Sequence, residues 1–164
     1  MNPSHTLYRI QSVDLKLHAH RQRAKAIDAE LASDEAIQQA LQAKKAIEKR
    51  LRPEEARAND LNLELQTIAT QRKQFSSQLY GGAVSNPKEL QDIEHKIEEL
   101  TRRQSELETA LLETMMTVDD LKAQLEAAAA TLAEIEVSRA SELGVLLEER
   151  QQIRVEIRQL KAQR

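Results

Sequence analysis

Leu79–Leu90 is the one stretch of the sequence whose residues clearly favour a reversal of chain direction. The pair Gly81–Gly82 suits the left-handed conformation that often ends a helix. Asn86 is a good N-cap, Pro87 fits the first helical position after it, and Glu89 is placed to complete a capping box. Because these stop and start residues are so close together, the sequence predicts a tight connection between two helices.

Apolar residues recur at heptad spacing on both sides of this turn. After it, nine of the eleven positions at seven-residue intervals from 90 to 160 are apolar. Before it, the alternating spacing of three and four runs over 7–31, slips by one residue, and resumes over 37–79. This pattern is typical of a coiled-coil seam.

We therefore predict an all-α fold: a single long antiparallel two-helix coiled-coil hairpin that forms one domain over 1–164. Helix 1 is expected at about 4–79, the tip loop at 80–86 and helix 2 at about 87–163. Such a fold places Leu51 opposite Val118. Late in helix 2 the apolar row moves by one position, to Leu143, Leu147 and Ile157.

Pro53 lies inside the predicted helix 1. An interior proline removes a backbone hydrogen bond and costs about 3 kcal/mol unless the helix bends or restarts. The apolar row keeps its phase across this position, so we predict a kink near Pro53 in a continuing helix. Arg72, Gln104 and Arg139 occupy seam positions, where long polar side chains usually set the register.

Composition and residue spacing disfavour an enzyme. Aromatic residues make up 2% of the chain and charged residues 31%, which is typical of a long helix. His18 and His20 are two apart and point to different sides of a helix, so they cannot form a metal pair. The carboxylates are scattered, and no cysteine is present. We expect no catalytic residue, metal site or cofactor in this chain.

The sequence also favours a cytoplasmic protein. No apolar run approaches the roughly 18–20 residues of a membrane span. The first residues lack the apolar core of a signal peptide. We expect a monomer or a weak dimer that does not contact a membrane.

Positive charge concentrates at the two ends of the chain. Residues 1–27 and 150–164 each carry five basic residues against one acidic residue, while 28–149 carry a net charge of −11. The fold-back places both basic ends at the hairpin base. One interpretation is a solvated end, and the other is contact with RNA, DNA or an acidic partner through charge. The candidate contact residues are Arg9, Lys16, Arg21, Arg23, Lys25, Arg150, Arg154, Arg158, Lys161 and Arg164.

The tip is the second candidate surface. Capping explains most of its residues without any further function, but it does not explain Tyr80, Val84 and Lys88. An aromatic and an apolar residue at the end of an arm suit contact with a partner protein, although a Tyr packed on its own loop is an adequate alternative. The candidate tip residues are Tyr80, Gly81, Gly82, Val84, Asn86, Pro87, Lys88 and Glu89.

The tip motif, with the opening residues Leu7, Gln11 and Asp14–Leu15, resembles a bacterial family in which a coiled-coil hairpin precedes a four-cysteine zinc ribbon. Only the tip is specific, because the rest is general heptad sequence. That family is described as predicted nucleic-acid binding. Some members serve flagellar biogenesis and contact the sigma-54 factor and flagellin messenger RNA, and others are adaptors in pathogens.

The resemblance implies an adaptor or scaffold that binds protein partners, such as the sigma-54 factor or flagellar and secretion components, and a second contact with nucleic acid. The zinc ribbon has no counterpart in this sequence, so zinc is expected only if a C-terminal ribbon exists. The alternative function is a purely structural or oligomerising coiled-coil spacer.

Overall fold

The computed structural model describes residues 3–82 and 84–163. Three helices form: α1 at Pro3–Leu31, α2 at Glu35–Tyr80 and α3 at Pro87–Gln163. No strand occurs in these described ranges. The predicted all-α coiled-coil hairpin is confirmed, with α1 and α2 in one arm and α3 in the other.

The first arm is not one helix, and the prediction of a continuous helix over about 4–79 is wrong. α1 ends at Leu31 and α2 begins at Glu35. The Ser33 N–H donates to the carbonyl oxygen of Glu30 at 3.2 Å. Helical hydrogen bonding starts again where the Gln38 N–H donates to the carbonyl oxygen of Asp34 at 3.0 Å. The break coincides with the one-residue slip in the apolar row, because interrupting the helix returns the following apolar residues to the seam.

α2 passes through Pro53 and remains one helix on both sides of it. Leu51 before the proline is buried, and Ala58 after it is half-buried, so the seam keeps its phase. The predicted kink at this position stays a prediction.

The chain divides into two compact units. The terminal unit comprises Met1–Leu41 and Ala130–Arg164, and the turn unit comprises Gln42–Ala129. In the terminal unit the buried side chains come from the facing rows of α1 and α3, and Ile27 is completely buried. The other buried residues of this unit are Val13, Leu17, Leu132 and Ile153.

The core of the turn unit confirms the predicted fold-back. Leu51 and Val118 belong to one buried cluster with Leu121, and Ile47 and Leu125 pack against it. This pairing fixes the register of the two arms here, because Leu51 and Val118 are the residues that the sequence places opposite each other.

Polar residues also lie in the seam of the turn unit. The Arg72 guanidinium donates to the Gln104 amide oxygen at 2.8 Å, and the Gln104 amide nitrogen donates to Glu108 at 2.7 Å. Buried Thr114 satisfies its hydroxyl by donating to the carbonyl oxygen of Ala110 at 2.8 Å. These bonds let polar side chains occupy a seam without an unpaired buried group.

One detail of the late apolar row of α3 differs from the sequence prediction. Leu143 and Ile157 are half-buried as expected, but Leu147 is 52% exposed. Leu146 stays half-buried and continues the original row. Leu147 therefore lies on the outer edge of the seam, where it is available to other molecules.

Candidate interaction surfaces

The tip ends α2 through backbone geometry that requires glycine. The Gly81 N–H donates to the carbonyl oxygen of Ser77 at 2.8 Å. A Cβ on Gly81 would collide with the same oxygen. Gly82 has φ +70°, the left-handed conformation that other residues rarely adopt. Both glycines therefore have a structural role in ending the helix.

The tip starts α3 with the predicted N-cap. The Asn86 side-chain oxygen accepts the Lys88 N–H at 3.1 Å, and the Asn86 carbonyl accepts the Leu90 N–H at 3.0 Å. Pro87 is the first residue of the helix. Glu89 does not complete the capping box, because its carboxylate makes no hydrogen bond with any residue in the described ranges.

We expect Asn86→Ala to lower the free energy of unfolding by about 1 kcal/mol, because it removes the cap of α3. Ser85→Ala is the matched control, since Ser85 is an exposed neighbour, and its effect should stay within about 0.5 kcal/mol. Urea denaturation measures both. Equal losses in the two variants would contradict a capping role for Asn86.

Tyr80 is the tip residue that capping leaves unexplained. Its side chain is 84% exposed at the last position of α2. Lys88 is exposed as well, whereas Val84 is half-buried and offers less surface. The candidate contact at the tip therefore narrows to Tyr80 with Lys88 beside the turn.

At the hairpin base, one side of the seam contains ion pairs between α1 and α3. Arg23 forms a bidentate pair with Glu149, with Nε–Oε1 at 2.7 Å and Nη2–Oε2 at 2.8 Å, and it also contacts Glu30 at 3.0 Å. His20 Nε2 lies 3.3 Å from Glu156 on the same pair of helices. The predicted contact residue Arg23 is therefore already occupied by acidic side chains.

The Arg23–Glu149 pair shifts the protonation of both groups. The hydrogen bond from Arg23 holds the pKa of Glu149 below its ordinary value of 4.5, and the bond to Glu149 raises the pKa of Arg23. Because the folded pKa of Glu149 is lowered, this pair stabilises the fold at pH values above the unfolded pKa. The contribution is lost as the pH falls through the folded pKa.

We expect Arg23→Gln to raise the pKa of Glu149 toward its ordinary value, because the charged donor is removed. Arg9→Gln is the matched control: Arg9 is an exposed cation of the same helix that makes no ion pair with any described residue. A carbon-detected NMR titration of the glutamate carboxylates measures the change. An unchanged Glu149 pKa in Arg23→Gln would show that the pair does not persist in solution.

The other side of the base carries unpaired cations. Arg150 Nη2 contacts Asp28 Oδ1 at 2.9 Å. The row of residues on the face of α3 that contains Arg150 therefore runs beside the row on the face of α1 that contains Asp28. Residues spaced by three, four or seven share a helix face. Five further cations lie in these two rows, and each is exposed and makes no ion pair within the described residues. We call them the basic face: Arg21, Lys25, Arg154, Arg158 and Lys161.

The remaining predicted basic residues lie elsewhere. Arg9 and Lys16 are exposed and precede Arg23 at seven-residue spacing, so they belong to the side of the seam that contains Glu149. Arg150 is paired with Asp28. Arg164 is outside the described residues. The structure thus brings together five of the ten predicted cations on a single face.

Arg139 has a structural role that the sequence did not reveal. Its side chain is only 15% exposed. The guanidinium of this α3 residue donates to the carbonyl oxygen of Glu30 and to that of Ser33 at 2.6 Å, and it lies 3.5 Å from Glu142. Arg139 therefore donates to backbone carbonyls at the end of α1 and in the break that follows it.

The surface of the turn unit has an open recess, and it is lined mainly by polar side chains. A recess of about 640 Å³ in the turn unit contains Asn59, Asn62, Met115 and the Glu55–Lys122 ion pair at 3.1 Å, and it is open to solvent. No cluster of three or more metal-ligating side chains occurs among the residues described. The helices described include none with a stretch long and apolar enough to cross a membrane.

A comparison with known families agrees with this architecture. Residues 10–164 match the model of a family described as the CT398-like coiled coil hairpin domain. No curated protein and no solved structure matches the chain. A coiled-coil helical hairpin is not a known enzyme fold, which fits the surfaces described above. Because the match covers nearly the whole chain, the protein belongs to the family of CT398-like coiled coil hairpin domains.

Proposed function

We propose that this hairpin is a non-enzymatic adaptor arm that binds a protein partner at its base and at its tip. The basic face supports the proposal, because five exposed cations gather on one side of the terminal unit, whereas Arg23 on the opposite side is paired with Glu149 and Glu30. An exposed aromatic such as Tyr80 adds a second surface of the kind enriched in protein interfaces. A hairpin that binds at both surfaces would act as a scaffold between partners.

The resemblance to zinc-ribbon regulators gives this proposal a candidate partner. It suggests the sigma-54 factor or a flagellar or secretion component in the cytoplasm. The association with a zinc ribbon belongs to the same resemblance and stays a prediction.

Site-specific photo-crosslinking in cells tests the adaptor function. A photoreactive residue is placed at Tyr80 and, separately, at Arg158, with Glu126 as a control on an exposed face of α3. We expect a discrete adduct from Tyr80 or Arg158 and none from Glu126. Absence of any adduct, or equal labelling from all three positions, would contradict the proposal and favour the spacer alternative.

Nucleic-acid binding is a second candidate function, favoured by the exposed cations of the basic face. If about five phosphates are contacted, the affinity for single-stranded RNA should fall on the order of 100-fold for a fourfold rise in salt concentration. Titrations of RNA and DNA at two salt concentrations measure this dependence. The function is contradicted if neither nucleic acid binds at the lower salt concentration.

A further inference from the structure

The basic face contains exposed leucines as well as cations. Leu7 precedes Arg21 by two heptads in the α1 row, and Leu147 precedes Arg154 by one heptad in the α3 row. Their side chains are 70% and 52% exposed. We propose that the groove between these two rows binds an acidic amphipathic helix of a partner protein. This inference rests on the proposed adaptor function and specifies the partner at its base.

Heptad spacing determines which shape of ligand the groove can bind. Both rows follow the seven-residue repeat of the seam, so they run side by side along the same pair of helices, as the Asp28–Arg150 contact at 2.9 Å shows. A third helix placed between the rows would contact both of them over several turns. An amphipathic helix that lays its apolar face in a groove is a common mode of recognition.

An open recess on α1, beside the Leu7 end of the groove, suits an apolar anchor. It has a volume of about 390 Å³ and is lined by Leu7, Ile10, Gln11, Asp14 and Leu15. Ile10 occupies a seam position but remains 38% exposed, and Leu15 is 66% exposed. One large apolar side chain of a partner helix would cover these residues, which otherwise remain in contact with water.

Charge identifies the partner as acidic. The groove presents five cations without an ion pair among the described residues. Its α1 row has two carboxylates, Asp14 and Asp28, and Arg150 neutralises Asp28. Glutamates that flank an apolar stripe would meet these cations at the edges of the groove. Phosphates alone would also pair with the cations but would leave Leu7 and Leu147 uncovered, so an acidic helix fits the whole face better than a nucleic acid does.

A designed peptide tests the inference directly. The probe is a labelled peptide of about three heptads with Leu at the seam positions and Glu beside them. Comparison probes are the same peptide with Gln in place of Glu and a single-stranded RNA. Binding to the full chain is measured by fluorescence anisotropy. We expect the acidic peptide to bind and the Gln peptide to bind about tenfold more weakly.

Matched variants locate the binding site. Arg154→Glu with Arg158→Glu should weaken peptide binding by about tenfold or more, whereas Arg9→Glu with Lys16→Glu makes the same charge change on the other side and should alter it less than about twofold. Leu7→Ser should weaken binding several-fold. Leu63→Ser is its control, because Leu63 is 60% exposed in the turn unit. Circular dichroism verifies that every variant remains helical.

Several results would overturn the inference. They are no binding of the acidic peptide up to about 100 μM, equal binding of the Gln peptide, equal weakening by the two double variants, and tighter binding of RNA than of the acidic peptide. The last result would identify a nucleic acid as the ligand. Crosslinks at Tyr80 that persist after any of these results would leave the adaptor function intact and reject only the acidic helix.

Discussion

Ile27→Ala is expected to lower the free energy of unfolding by about 3 kcal/mol, because it removes buried methyl and methylene groups and leaves a cavity in the seam. Ile27 has no exposed surface, and it is the only large side chain among the described residues that is so completely buried. It holds α1 against α3 in the terminal unit. Urea denaturation followed by circular dichroism measures the loss.

Leu15→Ala is the control for this substitution. Leu15 lies in the same helix but is 66% exposed, so truncating it should change the free energy of unfolding by no more than about 0.5 kcal/mol. Similar losses for Ile27→Ala and Leu15→Ala would mean that the core of the terminal unit is not packed as described.

Arg139→Met should cost about 2 kcal/mol, because the carbonyl oxygens of Glu30 and Ser33 lose a charged donor. The methionine keeps most of the apolar stem, so the change removes chiefly the polar contacts of the guanidinium. Hydrogen exchange of the amides around residues 28–38 should become faster, since the end of α1 and the start of α2 lose their support from α3. Mass spectrometry of peptides from this segment measures the exchange.

Arg158→Met is the matched control, because Arg158 is an exposed cation of the same helix. It should leave exchange near the break unchanged. If Arg139→Met also leaves that exchange unchanged, the break is maintained by the local sequence Ser33–Asp34 and the proposed role of Arg139 is wrong.

The hairpin and its tip could be predicted because both depend on local patterns. A seven-residue repeat can be predicted from the spacing of apolar residues alone. The helix caps can be predicted from Gly82 and Asn86 and the short distance between them. The pairing of Leu51 with Val118 follows once the turn is located. These features are short-range, or they propagate from the turn by counting residues.

The break and the free cations could not be predicted, because they depend on the register between the arms. The one-residue shift of the apolar row before Ile37 is compatible with a drifting seam as well as with an interrupted helix. The spacing of the residues does not distinguish these two structures. Arg139 contributes to the break only through contacts with Glu30 and Ser33, which are more than 100 residues away. Likewise, whether Arg23 or Arg21 is unpaired depends on which acidic residue of α3 lies opposite.

The Arg23–Glu149 pair also has a consequence for synthesis on the ribosome. Its two residues are 126 positions apart, so at about 5–20 residues per second α1 waits roughly 6–25 s for Glu149 to be made. During this interval the apolar row of α1 has no partner, and Glu149 is not yet present to pair with Arg23. We expect the terminal unit to be the last part of the molecule to fold, and its exposure to chaperones and proteases to depend on the rate of translation.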